Sequence, residues 1–512
     1  MKESFFLCIK KIISSKNRVK RFAVVIVIIV FAIVMLGGTF LDLFNRPMVV
    51  TNTPEIMVEK GIHYMQIGDN AQALKYFSRA IDMDDTMAEA YAQRGRLMYG
   101  MGEYDKALMD LDRAIQLDST NAQAYLDRAK THLVLNNIPA GMEDLGHAID
   151  LNPKLIEASL IRGKLYKELG MLNQALLDFT VVLDHQPQNV EALQERAHIH
   201  ATQQDWALAL KDYKALSALE PQQGAIYNNI GFAHYNLKDY RQAIQNFSKA
   251  IDLGYRDSSV YFNRGNAYLE SGSYKDAIAD FDRVIAITDD FVEAYNNRGN
   301  AYLSLQDYDA AISDFTKAIS INPDYLTAYF NRSLANMEKG DYQQVVKDCT
   351  YIIKRDPDMV NSYRQRAIAY FKMKEYQKAI DDWAIYLDRH PEDVETNYDV
   401  GLAYFNLKKY RQAIAFFDKT IKLDMHNGSA YFQRGNANLM LKDYRAAIRD
   451  FTRAIELETG VDVSYYNRGV AYLHLNEAAL ARADFKKVVE ITENKKLAND
   501  ARRVLDQMSV DN

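Results

Sequence analysis

The chain is predicted to fold as an all-α solenoid of paired helices behind a single transmembrane helix, and three observations predict it. The segment YFNRGNAYLESGSYKDAIADFDRVIAI, opening at Tyr261, is followed 34 residues later by YNNRGNAYLSLQDYDAAISDFTKAISI. Stepping that frame in both directions keeps a small residue in one register, from Gly61, Gly95 and Ala129 through Gly265, Gly299 and Ser333 to Gly435 and Gly469. Thirteen such units fit between residues 54 and 495 without an insertion, and a fixed period of this size marks stacked units that bury their apolar faces only against neighbours. The third observation is residues 22–41, a run of 20 residues without a charge. As a helix it covers about 30 Å, the thickness of the bilayer hydrocarbon.

Residues 1–21 form a basic segment that carries seven of the eight Lys and Arg found before residue 54. That bias puts the N-terminus in the cytoplasm and everything after the span across the membrane. The expected placement is a bacterial inner membrane with the repeats on its periplasmic side. The apolar run lacks a clean small-residue cleavage site at its end, which favours an uncleaved anchor over a signal peptide. Residues 42–53 lack helical periodicity and read as a linker, and Pro54 suits the first turn of the helix that follows.

Within each unit, positions 1 to 14 read as a first helix. In the seventh unit Tyr261, Arg264, Gly265, Tyr268 and Leu269 share one side at spacings of three and four. A turn follows at Gly68, Gly102, Gly170, Gly272 or Gly340, and Asp307, Asp341 and Asp443 stand where they would cap a second helix. That helix carries Ala277, Phe281 and Ile285 in the same unit. Small residues at positions 8 and 20 let the two helices approach, and aromatics at 4, 11, 17 and 24 fill the remaining space. Residues 496–512 end the chain with a helix that presents Leu497, Ala501, Val504, Leu505 and Met508 on one face and covers the exposed end of the array.

Position 7 is Arg in ten units and position 23 is Asp in the same ten. The first, sixth and eleventh units lack both, holding Lys60 with Tyr76, Ile230 with Asn246, and Val400 with Phe416. Charges that vanish together predict contact, so a same-unit ion pair such as Arg264 with Asp280 or Arg298 with Asp314 is expected to clamp the two helices.

These residues resemble the tetratricopeptide repeat family, whose pattern asks for a small residue at 8, an aromatic at 11, Ala at 20, a large apolar residue at 24, Ala at 27 and Pro at 32. Residues 292–325 meet it with Gly299, Tyr302, Ala311, Phe315, Ala318 and Pro323. Position 20 departs from Ala only at Gly141 and Val345, and six of the nine prolines fall at position 32. The resemblance implies a right-handed α-α superhelix whose first helices line a concave face, with positions 2, 5, 6, 9 and 12 turned to a ligand. On that face Asn229, Asn263, Asn297 and Asn331 occupy position 6 of four consecutive units, and Asn266 and Asn300 occupy position 9. An Asn row can bond the backbone of an extended peptide whatever its sequence, and it resembles the Asn ladder of the O-linked N-acetylglucosamine transferases, although no transferase domain follows. Phe262 and Phe330 at position 5 add apolar anchors. The same amides could instead bridge neighbouring helices. Position 2 holds no Lys or Arg, so a clamp for acidic C-termini is not expected, while Arg96, Lys130 and Lys164 at position 9 form a short basic stripe.

The chain carries a formal charge of −6, but the eight basic and two acidic residues before residue 54 leave −12 for the remainder. That is a poor match to nucleic acid. No phosphate loop, nucleophile elbow or metal spacing is present, so no catalytic residue, cofactor or metal is expected. The expected partners are proteins or peptides, with the membrane reached through the N-terminal span. The function expected is a membrane-anchored interaction scaffold. The alternatives are a regulatory or targeting subunit of an envelope enzyme complex, and a preprotein receptor of the organelle type.

Overall fold

Short side chains in strict register allow helices to pair, and helices are what the chain forms. The structure, a computed structural model, describes residues 52–510. Among them are 27 helices, and the chain divides after Ile199 into two compact units. The first unit contains α1 (Pro54–Gln66), α2 (Asn70–Met83), α3 (Ala88–Gly100), α4 (Tyr104–Leu117), α5 (Ala122–Val134), α6 (Ile138–Leu151), α7 (Ile156–Glu168), α8 (Leu172–His185) and most of α9 (Val190–Thr202). The second continues with α10 (Trp206–Leu219), α11 (Gly224–Asn236), α12 (Tyr240–Asp252), α13 (Ser258–Glu270), α14 (Tyr274–Ile287), α15 (Val292–Ser304), α16 (Tyr308–Ile321), α17 (Leu326–Lys339) and α18 (Tyr342–Arg355). It ends with α19 (Val360–Lys372), α20 (Tyr376–Arg389), α21 (Val394–Asn406), α22 (Tyr410–Leu423), α23 (Gly428–Met440), α24 (Tyr444–Glu456), α25 (Val461–His474), α26 (Ala478–Ile491) and α27 (Lys495–Val510). From Pro54 onward every second helix starts 34 residues after the last, until α25 begins one residue early.

Among the described residues no helix is long and apolar enough to cross a membrane. The span expected at residues 22–41 and the basic segment before it lie outside the described residues, as does nearly all of the linker.

Each pair closes on position 8. A Cβ placed on Gly299 would stand 2.6 Å from Phe315 Cε1, and one on Gly265 would stand 2.8 Å from Phe281 Cε1. Phe281 and Phe315 are fully buried, so the missing side chain on one helix is the space that the ring on the other fills. Where position 8 keeps a side chain, position 24 is no longer Phe: Ser333 goes with the small Cys349, Ala129 shares a core with Leu145, Ala367 shares one with Trp383, and Ala197 goes with Tyr213. The turns use one device throughout. Position 15 has positive φ in every pair, whether it is Gly272 (79°) and Gly340 (79°) or Gln306 (63°), Lys374 (63°) and Asn476 (61°). Asp307, Asp341 and Asp443 cap the second helices by accepting from the backbone N–H of Ala310, Gln344 and Ala446. At the C-terminal end Leu497, Val504, Leu505 and Met508 of α27 pack over Phe485 and Val488.

The expected ion pairs form wherever both residues lie within one unit. Arg264 donates from Nε and Nη2 to the two carboxylate oxygens of Asp280 at 2.7 and 2.8 Å, and Arg298 does the same to Asp314 at 2.8 and 2.7 Å. Arg94 with Asp110, Arg128 with Asp144 and Arg162 with Asp178 repeat the geometry in the first unit. The carboxylate hydrogen bond holds Arg298 above its ordinary pKa. The third guanidinium nitrogen makes a contact that sequence reasoning missed. Nη1 of Arg264 donates to Ser248, that of Arg298 to Asp282 and that of Arg332 to Thr316, each on the second helix of the preceding pair. One side chain therefore ties its own helix to two others. The signal was present in the sequence. The residue 16 places before the Arg is a Ser, Thr or Asp acceptor in nine of the ten, Gly146 before Arg162 being the exception, whereas Lys214 and Ala384 precede Ile230 and Val400. In those two pairs the guanidinium is replaced by a buried apolar side chain.

Candidate functional site

In the second unit the first helices stand next to one another, and position 9 of one meets position 6 of the next. Asn297 donates through Nδ2 to Asn266 Oδ1 at 2.9 Å, and Asn467 donates to Asn436 at 3.0 Å. Asn296, a position 5 residue not singled out from sequence, joins the row: it donates to Asn297 Oδ1 at 3.1 Å and accepts from Asn331 Nδ2 at 3.0 Å. Asn266, Asn296, Asn297 and Asn331 thus form one amide chain across α13, α15 and α17. These bonds use part of each amide and leave further donor and acceptor capacity on the same groups. Asn263 and Asn300 are half-buried and Asn229 is exposed, and the side-chain amides of all three make no hydrogen bond among the described residues. Phe262 is turned inward. Its ring lies 4.8 Å from that of Phe291 and 6.0 Å from that of Phe281, in the core between helices. Phe330 is half-buried beside Asn331.

One turn further along the same helices apolar side chains join polar ones in the wall. Leu303 on α15, Leu334 and Met337 on α17 and Ile368 on α19 line a groove of about 550 Å³, bordered by Ser304, Gln306, Tyr308, Glu338 and Gln365. The groove lies within the second unit. Its signal in the sequence is the change from Asn266 and Asn300 to Leu334 and Ile368 at position 9.

The basic stripe of the first unit is neutralised within the chain. Arg96 pairs with Asp127 at 2.7 Å, Lys130 with Glu157 at 2.6 Å, and Lys164 with Glu191. Each carboxylate comes from the next first helix, so no net positive field is left to draw an acidic segment. Among the described residues no group of three or more His, Cys, Asp or Glu is placed to hold a metal. Cys349 is buried among Val345 and Ala369, and burial pushes its thiol up to about 12, which keeps it protonated and unreactive. Cys8 lies outside the described residues.

Models described as tetratricopeptide repeat match residues 58–122, 224–253, 292–325, 364–430 and 432–495, and a TPR repeat model matches residues 265–306. The chain belongs to the tetratricopeptide repeat family. Solved structures similar to this tetratricopeptide chain include MamA, at 24% identity over 33% of this chain and 92% of that one with a TM-score of 0.32. The C-terminal part of a TPR repeat-containing protein from Cytophaga hutchinsonii matches at 20% identity over 46% and 98%, with a TM-score of 0.42. A tetratricopeptide repeat protein from Parabacteroides merdae matches at 21% identity over 56% and 99%, with a TM-score of 0.35. A comparison with curated protein sequences finds no match. Within the repeat pattern, the family positions 8 and 24 are the Gly and Phe that close eight of the thirteen pairs, and positions 6 and 9 hold most of the amide row.

Proposed function

We propose that this tetratricopeptide array is a protein-interaction scaffold that holds extended peptide segments of its partners against the first helices of residues 258–372. The observation that carries this reading is the juxtaposition on α13 to α19 of an amide row and a groove of mixed lining that contains four apolar side chains. Backbone amides of an extended segment can use the free bonding capacity of Asn263, Asn266, Asn297, Asn300 and Asn331, while its side chains enter between Leu303, Leu334, Met337 and Ile368. The role of Phe262 in this reading is to support the wall from behind, and Phe330 contributes beside Asn331. The charge-free run at residues 22–41, with seven basic residues before it, supports a bilayer anchor with the array on the far side of the membrane from the N-terminus.

A photo-crosslinking amino acid placed at position 300 in the full chain, expressed in the cells that make it, tests the site. Adducts to other proteins are expected from Asn300 and not from the exposed Lys317 on the second-helix side. Equal adduct formation from both positions, or from Lys317 alone, would remove the first-helix face as the binding surface.

A further inference from the structure

The row of seats that carries the amide chain contains one that is unlike the rest. Asp399 on α21 occupies position 6 of its pair, the place taken by Asn297, Asn331 and Asn467 elsewhere. Where a first helix precedes it, the other acidic residues in that seat are paired to that helix: Asp127 accepts from Arg96 Nε at 2.7 Å, and Glu195 accepts from Lys167 Nζ at 2.6 Å, while Glu59 belongs to the first pair of the array. The two seats that supply those donors are positions 9 and 12 of the preceding first helix, and on α19 they hold Ile368 and Phe371, which have nothing to donate. Among the described residues Asp399 has no hydrogen-bond or ion-pair partner, although it is partly buried.

The nearby cations do not supply the missing partner. Arg364 is committed to Glu395 at 2.5 Å and to the Thr396 hydroxyl at 3.2 Å. Burial, reinforced by Glu395, pushes the Asp399 carboxyl up to about 6; Arg364 and Lys372 on α19 oppose that rise and Asp393 adds to it. A carboxylate kept unpaired against this cost is the arrangement expected of a group whose partner arrives from outside. Ile368, whose seat is opposed to it, is also one of the four apolar side chains that line the groove. The repeats themselves carry a charge of −12, which disfavours an acidic partner.

We propose that Asp399 receives a Lys or Arg side chain of the bound segment, so that the array selects peptides that carry apolar residues and a basic one close by. Packed helices lie about 8–10 Å apart. Extended chain covers that distance in about three residues, so the basic residue belongs roughly three places from the apolar residue seated between Leu334 and Ile368. This inference rests on the first-helix face being the binding surface.

The test is selection of random peptides displayed on phage against the full chain in detergent, in parallel with Asp399→Asn and Asp399→Lys. Asn is native to this seat in other pairs, so the Asn variant preserves the fold. The expected result is enrichment of apolar residues with a nearby Lys or Arg by the native chain, loss of the basic residue alone with Asp399→Asn, and a switch to acidic residues with Asp399→Lys. The most enriched peptide, synthesised with a fluorophore, should bind Asp399→Asn roughly tenfold or more weakly. Equal frequencies of Lys and Arg in the native and Asp399→Asn pools would overturn the role of Asp399 while leaving the groove reading intact. Failure of the native chain to enrich any peptide would overturn both.

Discussion

Arg298 touches three helices, and its removal should be felt in all of them. Its partner Asp314 is buried at 5% exposure, so Arg298→Ala leaves a carboxylate without a counter-charge, a loss of about 3–5 kcal/mol. The chain contains its own remedy. In the sixth repeat Ile230 and Asn246 stand at the same two positions, with Ile230 buried and Asn246 donating to the Gln242 carbonyl. The double change Arg298→Ile with Asp314→Asn should therefore recover most of what the single change loses, because a well-packed apolar group can replace a buried pair at little net cost. Hydrogen exchange of the α15 and α16 amides measures this locally, which suits a solenoid whose stability is a sum over neighbours. An Arg298→Ala variant with native protection there would show that the pair is idle.

At the scale of the element, the turn between paired helices is constant in conformation and variable in sequence. Gln306 adopts φ 63° where Gly272 adopts 79°. Left-handed backbone costs an ordinary L-residue about 1 kcal/mol, and the side chain of Gln306 is exposed. Gln306→Gly should thus stabilise the α15–α16 pair by a few tenths to about 1 kcal/mol, less the entropy that Gly brings to the unfolded chain. Thermal unfolding of the two proteins side by side checks the sign, and a lower midpoint for the Gly variant would show that unfolded-state entropy outweighs the relief. The closure at Gly299 tolerates no such change, since the ring of Phe315 already occupies the space above its Cα.

At the scale of the whole molecule, the proposed anchor makes a topological prediction. Protease added to intact spheroplasts should digest the repeats and spare the basic N-terminal segment, and digestion only after lysis would place the array on the cytoplasmic side. Within the chain, the sequence by itself determined the repeat period, the helix pairing, the caps at Asp307, Asp341 and Asp443, and the Arg–Asp clamp. Each of these is repeated many times, and a contact repeated in register shows itself by which residues appear and disappear together. Only the tertiary structure decided how the inner wall is used. It brought Asn296 into the amide row, turned Phe262 into the core, neutralised Arg96, Lys130 and Lys164, joined Leu303, Leu334, Met337 and Ile368 into a groove, and left Asp399 opposite Ile368. Those outcomes depend on which side chain of one helix faces which side chain of the next, about 27 to 35 residues away, and each occurs in only a few of the thirteen pairs. The period fixes the seats, but what sits across from each seat is settled by packing between neighbouring helices, where apolar residues in place of donors leave a carboxylate unpaired.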